Sequence, residues 1–200
     1  MKITLVNPPY PLNVHSHPPF IPLGLAYLGA VAENAGHKVT VIDCQAEKLT
    51  YETFRDRIAQ TPSDIIGVTA TTLLYNSAIK LIDIAKETQP QSVTILGGSH
   101  ATFCDENALR ECPSLNIVVR REGEQTFLEL LVKIHNQLSL ENVLGITYRN
   151  VDKIVRNEDR PFIEDLDVLP VPAHQVMPRE SLYHYRQLIF PLRSSRRCVF

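Results

Sequence analysis

Five short apolar runs recur along the first part of the chain: KITLV at 2–6, KVTVID at 38–43, DIIGVT at 64–69, SVTIL at 92–96 and LNIVV at 115–119. Each has the length and β-branched content of a strand. None alternates cleanly enough to keep one face in water, so each is expected to be buried on both faces, as strands of parallel sheets are. Between them lie stretches with helical spacing at 23–35, 50–60, 74–88, 105–111 and 124–137. Regular strand–helix alternation of this kind leaves essentially one architecture, a doubly wound α/β fold around a five-stranded parallel sheet. The flavodoxin-like strand order 2-1-3-4-5 is the expected one.

Local signals agree with these boundaries. Gly36 stands where a left-handed residue would close the first helix. Thr50 is placed to cap the second. Ala78, Ile79, Ile82 and Ala85 share one face of the third. Beyond residue 137 the rhythm changes. Gly145–Arg149 and Lys153–Arg156 read as a small β-hairpin around Asn150-Val151-Asp152. The chain contains 14 prolines, six of them between Pro8 and Pro22 and five between Pro161 and Pro191. The first group marks a special loop after the first strand. The second marks an extended connector over 158–192, laid along a neighbouring surface, with a short helix near Glu180–Tyr185. The expected division is therefore a domain over 1–157 (sheet 1–137, hairpin 144–157), the connector, and a final segment, 193–200.

With 20 basic and 22 acidic residues the net charge is −2. That gives no basic field for nucleic acid. No apolar run is long enough to span a bilayer. The apolar run after Met1 is too short for a signal peptide. The expected location is the cytoplasm. The cysteines, Cys44, Cys104, Cys112 and Cys198, form no CxxC pair, so neither a zinc site nor a disulfide framework is expected. Cys44 and Cys112 read as small buried residues. His15-Ser16-His17 offers two imidazoles in a Pro-rich loop, with no further ligand beside them.

Ligands of open parallel sheets bind beyond the carboxyl ends of the strands, where the strand order reverses. Four segments fall there: Asn7-Pro8-Pro9-Tyr10, Thr69-Ala70-Thr71-Thr72, Gly97-Gly98-Ser99-His100 and Arg120-Arg121-Glu122-Gly123-Glu124. Each allows two readings. The glycines can serve a tight turn or let a large flat or phosphorylated ligand approach the backbone. The threonines can cap a helix or bond a ligand. His100 can be structural or a ligand contact. Glu122 and Glu124 can answer a helix dipole or close a site. The first strand is not followed by GxGxxG, and no GxxxxGK[ST] is present, so the usual dinucleotide and P-loop sites are absent. Asn7 and Thr69 stand where a receiver domain would want acidic residues.

The combined string NPPY…PLGLAYLGAVAENAGHKVTVID, DIIGVTATT, LGGSHATF and VVRREGEQTFLELL resembles the N-terminal cobalamin-binding domain of B12-dependent radical S-adenosylmethionine (SAM) enzymes, over about residues 1–137. LDVLPVP at 166–172 extends the likeness. The resemblance implies a Rossmann-like cobalamin-binding fold. Thr69, Thr71, Gly97 and Gly98 would line a slot for the dimethylbenzimidazole tail, with Ala70 between the threonines and Ser99 after the glycines as further contacts. Asn7, Pro8, Pro9 and Tyr10 would lie near the corrin face. His100, Glu122, Gly123 and Glu124 would help close the site. The DxHxxG motif of other cobalamin domains is missing, which implies a base-off cofactor with no protein histidine on cobalt. The turn usually written GEGE reads Arg121-Glu122-Gly123-Glu124 here.

Ser194-Ser195-Arg196-Arg197-Cys198 resembles the opening of the radical SAM signature SRGCxxxCxxC, with Arg197 in place of its glycine. Cys198 would then be the first of three thiolates on a [4Fe–4S] cluster. The resemblance implies SAM, a C-terminal radical SAM barrel, and an electron donor such as ferredoxin or flavodoxin. The 200 residues would be the front part of such an enzyme, methyltransferase or cyclase in type and inactive alone, with residues 193–200 opening the barrel domain. Two alternatives stay open: a non-catalytic module of the same fold that binds no cobalamin, and a nucleotide- or flavin-binding domain.

Overall fold

The computed structural model describes residues 1–11, 21–184 and 187–188. Its centre is a sheet in the order β2-β1-β3-β4-β5-β6-β7. The first five strands are β1 (Lys2–Asn7), β2 (Lys38–Asp43), β3 (Ile65–Thr69), β4 (Val93–Gly97) and β5 (Ile117–Val119). They are mutually parallel in the expected order. The hairpin is less separate than its sequence indicates. β6 (Ile146–Asn150) pairs antiparallel with β5, and β7 (Lys153–Arg156) pairs with β6, so the sheet has seven strands and is mixed.

Helices cover both faces. Strand side chains alternate between faces. Val6, Ile66, Leu96 and Val118 therefore pack against α2 (Tyr51–Ala59), α3 (Tyr75–Thr88) and α5 (Asp105–Glu111). Leu5, Ile95, Ile117 and Val119 point the other way, toward α1 (Leu23–Asn34) and α6 (Glu124–His135). Thr50 caps α2 and shares a reciprocal capping box with Thr53. Gly36, at φ +82°, ends α1. The His37 N–H bonds Ala32 O and the Gly36 N–H bonds Glu33 O, which is the Schellman arrangement. A single turn of helix, α4 (Ser99–Phe103), lies between β4 and α5, where the sequence reads as a turn.

The connector lies on the domain itself. Ala173 N–H donates to Ala26 O on α1, and Gln175 bonds Glu33. Val176 packs so closely on Gly29 that a Cβ there would come within 3.0 Å of it. This explains why α1 is apolar nearly all round: one side meets the sheet and the other the connector. The short helix α7 (Arg179–Leu182) follows, then a two-stranded ribbon of β8 (Tyr183–His184) and β9 (Gln187–Leu188). His15, His17 and Cys198 lie outside the described residues. No described helix is long and apolar enough to cross a membrane.

Candidate functional site

β1 and β3 are neighbours in space, but the chain leaves them toward opposite edges of the sheet. This is the reversal at which open sheets bind ligands. On the α1/α6 side of that point the structure has a slot between the N-terminal turns of the two helices. Its hydrocarbon lining comes from Leu5, Leu25, Leu28, Ile95, Val119 and Phe127. Five of the chain's eight glycines also line it: Gly24, Gly67, Gly97, Gly98 and Gly123. Thr69 and the buried Glu124 complete it, where β3 ends and α6 begins. Its volume is about 140 Å³. An apolar cavity of about 150 Å³ is enough to hold benzene. This one is also open to solvent on one side.

The slot exists because side chains are missing where the sheet would otherwise present them. Gly67 pairs with Ile95, and Thr69 with Gly97, so Gly67 and Gly97 sit on adjacent strands of the same face. A Cβ on Gly97 would have no non-adjacent protein atom closer than Val119 O at 3.9 Å. What it would enter is the slot. Gly98 has a different job. Its φ is +100° and its ψ 176°, a conformation essentially confined to glycine. A Cβ there would lie 2.5 Å from Ala70 O. The two glycines therefore differ: Gly98 makes the turn, and Gly97 faces the slot.

The loop after β5 is anchored by charge. Among the described residues Arg120 is the largest fully buried side chain, at 1% exposure. Its guanidinium donates to Thr147 Oγ1 at 2.6 Å, Asn157 O at 2.6 Å and Asp159 Oδ1 at 2.8 Å. Arg156 bonds Asp105 at 2.9 Å in the same network, joining β5, β7, α5 and the connector. The hydrogen bond from Arg120, helped by the charges of Arg121 and Arg156, holds the Asp159 carboxyl below the usual range. Arg121 has φ +60°, which explains why glycine suits this position in the resembling turn. Its side chain is held by Asp159 at 2.8 Å and lies over Phe162. Glu122 accepts the Ile163 N–H at 2.6 Å and so ties the connector to the loop. Gly123 and the buried Glu124 remain at the slot.

The remaining sequence candidates lie apart from the slot. Asn7 is buried and donates to Asp43 Oδ1 at 2.8 Å. Asp43 is fully buried and also accepts Ser181 Oγ at 2.8 Å, which latches α7 onto the ends of β1 and β2. Beside it, burial followed by the Asp43 and Glu47 charges pushes the Cys44 thiol up. Pro8 O accepts Gln45 Nε2, so the loop of Pro8, Pro9 and Tyr10 leaves a fixed point. Ala70 is buried and bonded to Gly97 O, while Thr71 and Ser99 are exposed on the rim. Neither Thr71 nor Gly98 makes a side-chain helix cap. His100 turns away toward α3: Nδ1 is 3.2 Å from Thr72 Oγ1, and its ring lies 4.3 Å from that of Tyr75. Sequence reading passed over Gly24, Gly67 and the carbon lining. The one available signal was a glycine inside a strand run, which marks close approach of something to the backbone.

Comparison with known proteins gives a consistent picture. The profile of the family described as "B12 binding domain" matches residues 11–131, more than half of the chain. An uncharacterized methyltransferase of Pyrococcus horikoshii is 36% identical over 90% of this chain and 40% of its own length. An anaerobic magnesium-protoporphyrin IX monomethyl ester cyclase of Synechocystis is 30% identical over 99% of this chain and 40% of its own. The chain thus spans about 40% of the length of these relatives. Among solved structures, the cobalamin-dependent SAM radical enzyme OxsB, with aqua-cobalamin and SAM bound, superposes at a TM-score of 0.72. It is 23% identical, covering 86% of this chain and 24% of that one, a likeness of fold.

Proposed function

The chain belongs to the B12-binding domain family, and on that footing we propose that it holds cobalamin base-off, with the nucleotide base in the glycine-lined slot and the corrin over the carboxyl edge of the sheet. The observation that carries this reading is the slot itself. Five glycines and a hydrocarbon floor at the strand-order reversal make a cradle that a few Cβ atoms would fill. Flat aromatic surface buried there gains roughly 25 cal/mol for each Å² removed from water. Gly97 and Gly67 give the base room, Gly98 fixes the turn above it, and Thr69 and the buried Glu124 complete the lining. His100 is engaged with Thr72 and Tyr75, toward α3 and on the other face of the sheet from the slot. Asn7, Asp43 and Ser181 hold the start of the Pro8–Tyr10 loop in place for the corrin side.

In the whole protein the domain serves a radical SAM enzyme of methyltransferase or cyclase type. Bound cobalamin supplies a cobalt able to carry and hand over a methyl group. The chain's own part is to bind it, orient it and keep water from the buried base, as proteins do for cofactors that carry the chemistry. Cys198 would provide one thiolate of a [4Fe–4S] cluster, with SAM at the same cluster and ferredoxin or flavodoxin as electron donor. The kinds of relative matched support this reading. Cys44, Cys104 and Cys112 are free thiols, which suits the cytoplasm. The test is to titrate the chain with cobalamin, following visible absorption and the corrinoid retained after gel filtration. Saturable binding with a base-off spectrum is expected. No spectral change and no retained corrinoid would refute the reading; saturable binding of flavin or nucleotide instead would replace it.

A further inference from the structure

Resting on the reading that the slot receives the lower base, we infer that it also selects among cobamides: it takes a base whose inner edge is all carbon, as in 5,6-dimethylbenzimidazole, and disfavours a purine, with Gly67 setting its depth. Of the polar residues in the lining, the buried Glu124 opens α6 and Thr69 ends β3. Gly67 is two strand residues deeper, roughly 6.6 Å at the rise of a parallel strand. Its neighbours on the flanking strands are Leu5 and Ile95, and Phe127 of α6 lines the same slot. The strand backbones beneath are paired with one another in the β1–β3, β3–β4 and β4–β5 ladders. Their N–H and C=O groups are therefore committed within the sheet.

A lower base is tethered through its ribose to a corrin far too large to enter. Its tethered side must stay at the mouth, and its far edge must go deepest. In dimethylbenzimidazole that edge carries two methyl groups, which match the floor. In adenine the six-membered ring brings ring nitrogens and an exocyclic amine to the same place. Each such group, buried without a partner, weakens binding by ~10-fold or more. Gly67 decides whether the methyl groups fit. A Cβ there would stand 3.1 Å from Leu5 Cδ2. That is tight enough to push Leu5 or to fill the floor.

The test compares three corrinoids with the same corrin ring: cobalamin, the adenine-bearing cobamide, and cobinamide, which has no base. Each is titrated into the wild-type chain and into Gly67→Ala, with dissociation constants read from visible absorption and the fold of the variant checked by circular dichroism. Wild type should bind cobalamin ~10-fold or more tighter than the adenine form. Gly67→Ala should weaken cobalamin several-fold and leave cobinamide unchanged. The wild-type comparison needs no variant. Equal affinity for cobalamin and the adenine form overturns the selectivity while leaving the proposed function intact. Equal loss of cobalamin and cobinamide in Gly67→Ala overturns the role of Gly67. Failure of all three corrinoids to bind defeats the underlying reading and the inference together.

Discussion

Replacing Gly98 by alanine should destabilise the fold sharply, while the same change at Gly97 should not. At Gly98 the new Cβ meets Ala70 O at 2.5 Å, Ala70 N at 2.8 Å and Ala70 C at 3.0 Å, all backbone atoms that no rotamer can move. The φ of +100° adds strain of about 1–3 kcal/mol for any non-glycine residue. Relief requires Ala70 to shift, and Ala70 makes two of the bonds that hold the edge: its N–H to Gly97 O at 2.8 Å, and its carbonyl from His100 N–H at 3.2 Å. Weakening both adds about 1 kcal/mol each. The sum is about 3–5 kcal/mol against a total stability of about 5–15 kcal/mol. At about 2–4 °C per kcal/mol for a domain of this size, Tm should fall by about 6–20 °C. Gly97→Ala meets no non-adjacent atom closer than 3.9 Å and should cost less than about 1 kcal/mol, the usual range for strand propensity. Urea denaturation followed by circular dichroism measures both. Equal losses, or a Gly98→Ala loss below about 1 kcal/mol, would refute the division of labour between the two glycines.

Arg120→Met removes the forked donor that joins β5 to Thr147, Asn157 and Asp159, and should cost about 3 kcal/mol in the same assay; a loss within experimental scatter would show that the network is dispensable. Asp159 has a folded-state pKa held below its unfolded value, so its contribution to stability is present above about pH 4 and disappears as pH falls through the folded value. Asp159→Asn should therefore lower stability at neutral pH and flatten the acid limb of the stability–pH curve; an unchanged acid limb contradicts the pairing. Burial, followed by the Asp83 charge and hydrogen bond, pushes the Cys112 thiol up to about 12, and Cys44 is raised as well. Both should resist alkylation at pH 8 in the native protein and react once urea unfolds it, as peptide mass spectrometry would show.

Much of this architecture was legible in the sequence because it is written in local terms. Continuous Val/Ile runs marked the parallel strands, Gly36 and Thr50 marked helix ends, and the strand order is one of those common to doubly wound sheets. What was hidden depends on contacts between distant segments. The hairpin's own pattern is polar on one side and says nothing of β5, onto whose edge it pairs. Arg120 looks like a solvated charge after a strand until Asp159, nearly forty residues later, is brought beside it. Gly67 reads as one residue of an apolar run, yet its missing side chain helps open the slot. The all-round apolarity of α1 hinted that something besides the sheet covers it, and the connector does. His100 follows Gly-Gly in sequence, but the turn of helix beginning at Ser99 carries it to the opposite side of the sheet's edge.

The most direct test of the central claim is a crystal structure of the chain grown with cobalamin. The dimethylbenzimidazole should lie in van der Waals contact with Gly67, Gly97 and Phe127, released from cobalt, with the corrin over the carboxyl edge of the sheet. A base still coordinated to cobalt, or a corrinoid bound away from the glycine-lined slot, would contradict it.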